Sequence, residues 1–458
     1  MSKLTIVNPA DGGTVAAVPA DSAPSVASKS LRARAAQPLW ASTPLGERMA
    51  AIARFRQSLV DDREALARTL TSEVGKPIAQ SRNEISGVLA RIDFFLAHAE
   101  ATLAGTVVHD EAGMVEGITH EPLGVVGNVS AWNYPYFVGA NVFVPALLAG
   151  NAVLYKPSEH ATLTGLAIAE RLHAAGVPKD VFAVCVGAGD VGRAVVGSTL
   201  DGLFFTGSVA TGQAIAAAAG GRMLRLQLEL GGKDPTYVCD DVDIASAAAS
   251  LADGAMYNTG QSCCSVERIY VHARIHDEFV DRFLETTEGF TIGDPMDEAT
   301  YIGPLTRGAQ IAVLEAQVDD AAAKGATVRI GGKRIARAGH WFEPTVLTEV
   351  DHTMAVMRDE SFGPVIGIQK VAGDEEAIGL MNDTRYGLTA GVYTADEARA
   401  AALLSRLRAG SVYWNCCDRV SPRLPWSGVG DSGVGVTLST LGIEAFTRPR
   451  AWHLKRPG

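Results

Sequence analysis

Short apolar runs alternate with longer segments of helical spacing along most of this chain, the grammar of an α/β protein. Val125-Val126, Ala152 to Tyr155, Phe182 to Val186 and Gly202 to Phe205 are apolar at nearly every position, as strands buried on both faces of a parallel sheet are. A helix predicted over Thr162 to Ala175 follows the second run. Strand, glycine turn, helix and strand in succession predict a doubly wound sheet. After Lys233 the pattern restarts, with a strand at Thr236 to Cys239, a helix at Ile244 to Tyr257, a strand at Ile269 to Val271 and a helix from Asp277 to about Glu288. A boundary between two α/β units therefore falls near Gly231-Gly232.

The flanks read differently. Ile6-Val7 forms a strand that meets the turn signal Asn8-Pro9. From Ser22 to about Leu103 the spacing is helical, with Ile52, Phe55, Leu59, Leu66 and Leu70 on one face, and Gly75-Lys76-Pro77 divides the region into two helices. Thr106 to Pro122 mixes Val107-Val108 and Ile118 with charges and predicts a two-stranded ribbon. The basic tail RPRAWHLKRPG is extended and suited to adding a strand elsewhere.

A chain of 458 residues with 47% hydrophobic and 20% charged residues predicts two or three globular domains. A net charge of -11 argues against nucleic acid as a partner, because the basic footprint is missing. The most apolar run, Tyr136 to Gly150, contains Asn141 and Pro145 and is too short to span a membrane. The N-terminus lacks a secretory core, so a cytoplasmic protein is expected. The six cysteines, Cys185, Cys239, Cys263, Cys264, Cys416 and Cys417, show neither a disulfide framework nor a metal-ligand spacing.

Chemistry concentrates between Leu228 and Arg268, where LELGGKDP presents Glu229 and NTGQSCCSVER presents Cys263 and Cys264. A thiolate is a strong nucleophile and a semi-buried carboxylate is a base of raised pKa. The plainer reading makes the cysteines inert buried thiols, against their polar neighbours Gln261, Ser262 and Ser265. Gly187-Ala188-Gly189-Asp190-Val191-Gly192 spells G-x-G-x-x-G after a strand, without the acid expected about twenty residues on. A second loop, Gly207-Ser208 to Gly212, precedes a helix expected from Gln213 to Ala219. It offers N–H groups and hydroxyls to a phosphate, or an ordinary cap by Ser208. Asn133 in Trp132-Asn133-Tyr134-Pro135 is an oxyanion donor or a turn residue. Lys156 and Glu159 end a strand, where ligands of parallel sheets bind and where solvated charges are also common.

Taken together these segments resemble the aldehyde dehydrogenase superfamily. LELGGKDP is similar to its glutamate signature, and NTGQSCCSVER to its cysteine signature, which selects Cys263. SAWNYP, YKPSE, FTGSVATG and ESFGPV match further family blocks in order. The resemblance implies Cys263 as nucleophile, Glu229 as base and Asn133 as oxyanion donor. It implies Trp132, Lys156, Ser158, Glu159, Gly207, Ser208, Gly212, Glu360 and Phe362 as cofactor contacts. The motif at Gly187 is thereby a decoy.

The family implies an α/β fold of three parts. These are a Rossmann-like cofactor domain (1–105 and 122–230), a catalytic domain (231–438) and an oligomerisation ribbon (106–121 and 439–458) that makes a homodimer or homotetramer. It implies oxidation of an aldehyde to the acid by NAD, which the Glu159 carboxylate favours, with NADP as the alternative cofactor; no ligand spacing in the sequence points to a metal. Tyr134, Tyr136, Val138 and Trp426 imply an apolar tunnel for a medium aliphatic or aromatic aldehyde, while Arg419 and Arg423 suit a carboxylate-bearing semialdehyde. The family's usual P-F-G-G-x-K-x-S-G reads here Pro425 to Gly433, with Gly430 in place of the Lys. A cysteine esterase and a catalytically silent binding protein are the readings from other classes.

Overall fold

Two parallel sheets divide the molecule, and the computed structural model describes residues 2–457 of it. Residues 1 and 458, the outer limits of the expected units, lie outside the described residues. The first sheet has six strands in the order Gly433–Val434, Arg225–Glu229, Gly202–Thr206, Val125–Val129, Ala152–Lys156 and Phe182–Val184. Every residue of Val125–Val129, Ala152–Lys156 and Gly202–Thr206 is buried, which explains their continuous apolar sequence. The second sheet has seven strands, in the order Thr327–Ile330, Thr345–Thr348, Val365–Val371, Arg268–His272, Pro235–Val238, Thr389–Tyr393 and Ser411–Trp414. All but Thr327–Ile330 run parallel.

The chain passes between the sheets at Leu230 to Asp234, between the strands Arg225–Glu229 and Pro235–Val238. It later returns. Gly433–Val434 pairs antiparallel with Glu229 and Leu228, so part of the segment 231–438 belongs to the first sheet.

The expected two N-terminal helices are four: Ala23–Ser42, Leu45–Asp61, Arg63–Val74 and Ile78–Leu103. Pro44 and Asp62 interrupt the helical spacing without disturbing the apolar face. The break at Gly75 is the one the sequence marks, with Gly75 left-handed at φ 82°. Lys3–Val7 is half of a hairpin with Thr14–Pro19, whose shallow alternation of mostly exposed residues hides the second strand.

Thr106–Glu111 and Met114–Pro122 form the predicted ribbon, and Thr447–Lys455 joins it along the full length of Met114–Pro122. The segment before that tail strand is a short helix, Ser439–Glu444, packed on Ile78–Leu103 rather than part of the ribbon. Among the described residues no helix is long and apolar enough to cross a membrane.

Candidate active site

The first sheet winds outward from Val125–Val129 in both directions, to Ala152–Lys156 on one side and to Gly202–Thr206 on the other. The crevice at the carboxyl ends of these strands is the topological switch point of the sheet, where α/β proteins bind ligands. Trp132 and Asn133 follow Val129 there, and Gly207 and Ser208 follow Thr206. By contrast, Gly187 to Gly192 follows the edge strand Phe182–Val184, away from the switch point.

The expected helix after Thr206 starts four residues early, at Val209, because Ser208 is its N-cap and accepts the Thr211 N–H. Gly212 thus lies in the first turn, where a Cβ would stand 2.4 Å from the Leu230 side chain. Lys156, almost fully buried, pairs with the partly exposed Glu159 carboxylate at 3.1 Å, and Ser158 is buried between them. The Trp132 ring meets the Phe362 ring edge-on at 5.5 Å. Glu360 lies over Gly231, and its Oε1 accepts the Gly232 N–H at 3.3 Å. Burial, and then the nearby Glu267 carboxylate, push Glu360 up to about 8. Helix-start N–H groups, an ammonium, a hydroxyl-binding carboxylate and aromatic faces at one crevice fit a nicotinamide dinucleotide.

Glu229 ends its strand buried, and the Thr437 hydroxyl donates to its Oε1. Burial pushes this carboxyl up to about 7, against the Thr437 bond and the Arg91 guanidinium. Cys263 sits beyond a single 3-10 turn, Tyr257–Gly260, in which Asn258 and Thr259 are left-handed. Gln261 fixes the loop: its Oε1 accepts the Thr306 N–H at 2.9 Å and its Nε2 donates to the Asn258 carbonyl at 3.1 Å. Asn133 donates one amide N–H to the Gln261 carbonyl at 3.2 Å, which holds its amide beside the cysteine loop with a second N–H to offer. Glu229, Cys263 and Cys264 line one cavity of about 520 Å³. Tyr134, Val138 and Trp426 line it too.

Several lining residues carry no motif. The helix Ile78–Leu103 contributes Gln80, Asn83, Glu84 and Arg91. Glu84 is ion-paired with Lys76, both side chains fully buried, and accepts the Tyr136 N–H at 2.8 Å. The Lys76 ammonium lies 3.7 Å over the Tyr134 ring, which stacks on Phe137. Arg91 lies over the other aromatic partner, 3.9 Å from the Phe137 centroid, and donates to Asn141 at 2.9 Å. Its burial pushes it down to about 10, against the fields of Glu229 and Glu84. The available signal was phase: Glu84 and Arg91 are two turns apart on the face of Ile85, Val88 and Ile92. Asp418 accepts from Ser262 at 3.1 Å and from the Cys264 thiol at 3.0 Å.

The expectation for Tyr136 fails, and of the two alternative arginines one reaches the cavity. Tyr136 is 1% exposed and belongs to the core, because the helix Pro135–Leu148 turns it away from the face of Tyr134 and Val138. Arg419 borders the cavity, whereas Arg423 is exposed outside its lining. Among the described residues no cluster of His, Cys, Asp and Glu could hold a metal.

The model of the aldehyde dehydrogenase family matches residues 1–452. The chain belongs to the aldehyde dehydrogenase family. An aldehyde dehydrogenase of this family is an NAD(P)-dependent oxidoreductase, and that is the class of this enzyme. It is 37% identical to a 3,6-anhydro-alpha-L-galactose dehydrogenase of Streptomyces coelicolor, over 99% of this chain and 93% of that one. It is also 37% identical to a betaine aldehyde dehydrogenase of Rhizobium leguminosarum, over 96% and 91%. Among solved structures, a 3,6-anhydro-L-galactose dehydrogenase with NADP bound superposes at TM-score 0.95, with 32% identity over 99% of this chain and 96% of that one. The betaine aldehyde dehydrogenase of Staphylococcus aureus, with NAD+ bound, gives 0.95 at 30% identity over 99% and 92%.

Proposed function

We propose that this aldehyde dehydrogenase oxidises a small aldehyde to its carboxylic acid, with Cys263 as nucleophile and Glu229 as base. The observation that carries this reading is the shared cavity of the two groups, reached from two different sheets. The Cys263 thiolate adds to the aldehyde carbon and leaves an oxyanion on the resulting thiohemiacetal. The free N–H of the Asn133 amide and the backbone N–H of Cys263 hold that oxyanion, and losing one such donor lowers the rate about a hundredfold or more. NAD(P), when bound, accepts the hydride. The thioester on Cys263 is then cleaved: Glu229 takes a proton from water, hydroxide adds to the acyl carbon, and the thiolate departs as the acid forms.

Trp132 and Phe362 would border the nicotinamide, Glu360 its ribose, Lys156 and Glu159 the adenosine ribose, with Ser158 beside them, and Gly207, Ser208 and Gly212 the pyrophosphate. A carboxylate at Glu159 accepts a free ribose hydroxyl and repels a 2′-phosphate, which favours NAD.

The cavity wall of Tyr134, Phe137, Val138 and Trp426 suits the medium aliphatic or aromatic aldehyde expected from sequence. The same lining also carries polar side chains. Arg91 and Asn83 keep N–H groups beyond those given to Asn141 and Tyr257, and Asp418 keeps an oxygen beyond the one that accepts from Ser262 and Cys264, so a hydroxyl group suits this part of the lining. A small hydroxylated aldehyde uses both surfaces, and one relative is named for a sugar-derived substrate. The ribbon presents Val107, Val108 and Leu454 at its open edges, at 64%, 57% and 51% exposure, which suits assembly of a dimer or tetramer through it. Six free cysteines suit a reducing cytoplasm.

The test follows nicotinamide absorbance with NAD and NADP against hydroxylated, aliphatic, aromatic and carboxylate-bearing aldehydes. Reduction abolished by Cys263→Ala supports the reading, and preference for a semialdehyde moves the substrate assignment to Arg91 and Arg419. Ester cleavage without any cofactor-linked oxidation would overturn it.

A further inference from the structure

A buried carboxylate outside the reacting pair binds the backbone of the loop that carries Glu360 and Phe362. Glu267 stands four residues after Cys263, at the start of the strand Arg268–His272. Its Oε2 accepts the Ser361 N–H at 2.8 Å and its Oε1 accepts the Phe362 N–H at 2.9 Å. Oε2 also accepts from the Lys233 ammonium at 2.7 Å, and that ammonium donates again to the Ser361 hydroxyl at 2.9 Å. Lys233 is four residues after Glu229, and its side chain has no exposure.

Two successive backbone N–H groups converge on this one carboxylate, and one of them belongs to a residue in the left-handed region. Phe362 is that residue, with φ 47°. A bulky side chain disfavours this conformation, so the surroundings must impose it. Two glutamines hold the carbonyls of the loop: Gln310 donates to the Ser361 carbonyl at 2.6 Å, and Gln317 to those of Asp359 and Glu360 at 3.2 and 3.3 Å, while Gln317 Oε1 accepts from the Ser361 hydroxyl at 2.8 Å. Glu267 takes the N–H side, where the strain lies.

We propose that Glu267 is a positioning residue for the cofactor, fixing the left-handed turn at Phe362 and with it the placement of the Phe362 ring against Trp132 and of Glu360 over Gly231. Through its chain link to Cys263 and its ion pair with Lys233, the same carboxylate registers this loop to the thiol loop and to the base loop. Glu267 touches none of the reacting atoms. The proposal rests on the reading of Glu360 and Phe362 as cofactor contacts.

The test measures NAD affinity by tryptophan fluorescence, KM for NAD and for aldehyde, amide hydrogen exchange at Ser361 and Phe362, and the alkylation rate of Cys263 without cofactor. The proteins are wild type, Phe362→Ala, Glu267→Gln and the double variant Lys233→Met with Glu267→Gln. The double variant removes both buried charges and leaves neither alone, so it keeps the test available if the single variant misfolds. Glu267→Asp keeps the charge and is the milder third variant.

The Glu267 variants are expected to weaken NAD binding at least tenfold, raise KM for NAD in step and speed exchange at the two amides. Thiol alkylation and KM for aldehyde are expected to stay within twofold. Unchanged NAD affinity in these variants, with weakened binding in Phe362→Ala, overturns the positioning role alone. Unchanged affinity in Phe362→Ala overturns the cofactor reading beneath it. Equal losses of thiol reactivity and NAD affinity make Glu267 a general prop of the fold and overturn the proposal.

Discussion

The hydroxyl of Thr437 donates to the carboxylate of Glu229 from 208 residues further along the chain. Burial pushes that carboxyl up to about 7, while Thr437 and then Arg91 favour its ionised form. A general base works only when deprotonated, so kcat limited by thioester hydrolysis should rise with pH through about 7 and level off above it. Thr437→Val and Arg91→Met should each move that midpoint upward. Glu229→Gln should erase the limb and lower kcat about a hundredfold or more. A pH–kcat profile of the four proteins checks all three statements.

The two adjacent thiols should behave oppositely. The Cys263 contact, burial and Asp418 all push the Cys264 thiol up, so it stays protonated, whereas Cys263 is partly exposed in the cavity. A thiol that is both enclosed and held protonated resists alkylation, whereas one open to the cavity is within reach of the reagent. Iodoacetamide followed by peptide mass spectrometry should find Cys263 modified and Cys264 intact. Cys264→Ala should keep turnover within a few-fold, and Cys263→Ala should lose it.

Glu159 pairs with Lys156 at 3.1 Å but remains about one-third exposed, with room for a ribose hydroxyl on the same carboxylate. Glu159→Gln removes the charge that repels a 2′-phosphate. The ratio of kcat/KM for NADP to that for NAD should rise about tenfold, read from initial rates with each cofactor. An unchanged ratio would place the adenosine ribose elsewhere.

The Lys76–Glu84 pair lies under the aromatic wall with both side chains at 0% exposure. Removing one partner leaves a lone buried charge, which costs about 3–5 kcal/mol. Glu84→Gln should therefore lower the thermal midpoint by several degrees, and Lys76→Met combined with Glu84→Gln should recover part of the loss. Differential scanning calorimetry of the three proteins reads the effect.

Strands buried on both faces were legible because a short, unbroken apolar run between turn residues fits little else, as at Ala152 to Tyr155 and Gly202 to Phe205. Glu229 and Cys263 were legible through the two motifs that resemble the family's signatures, and both line the one cavity. Glu84 and Arg91 were legible only by their phase with Ile85, Val88 and Ile92, which marks a buried face without telling a core ion pair from a cavity lining. Asp418 and Thr437 escaped for a related reason: their partners, Cys264 and Glu229, lie more than 150 residues away, beyond any local pattern. Tyr136 was misread because its neighbours Tyr134 and Val138 do line the cavity, and a helix turns the residue between them the other way.

The return of the chain at Gly433–Val434 sets a clock on the appearance of reactivity during synthesis. A ribosome that has just made Cys263 has already made Glu229, yet the strand partner and the hydroxyl that hold this base are still unmade. At 5–20 residues per second, translation needs roughly 10–40 s more to reach Thr437. Throughout that interval the nascent protein carries Cys263 and Glu229 without the strand and the hydroxyl that hold Glu229 in the finished fold. On the function proposed above, turnover is therefore expected only once translation is nearly complete, and a chain ending short of Gly433 is expected to lack the partners that hold Glu229.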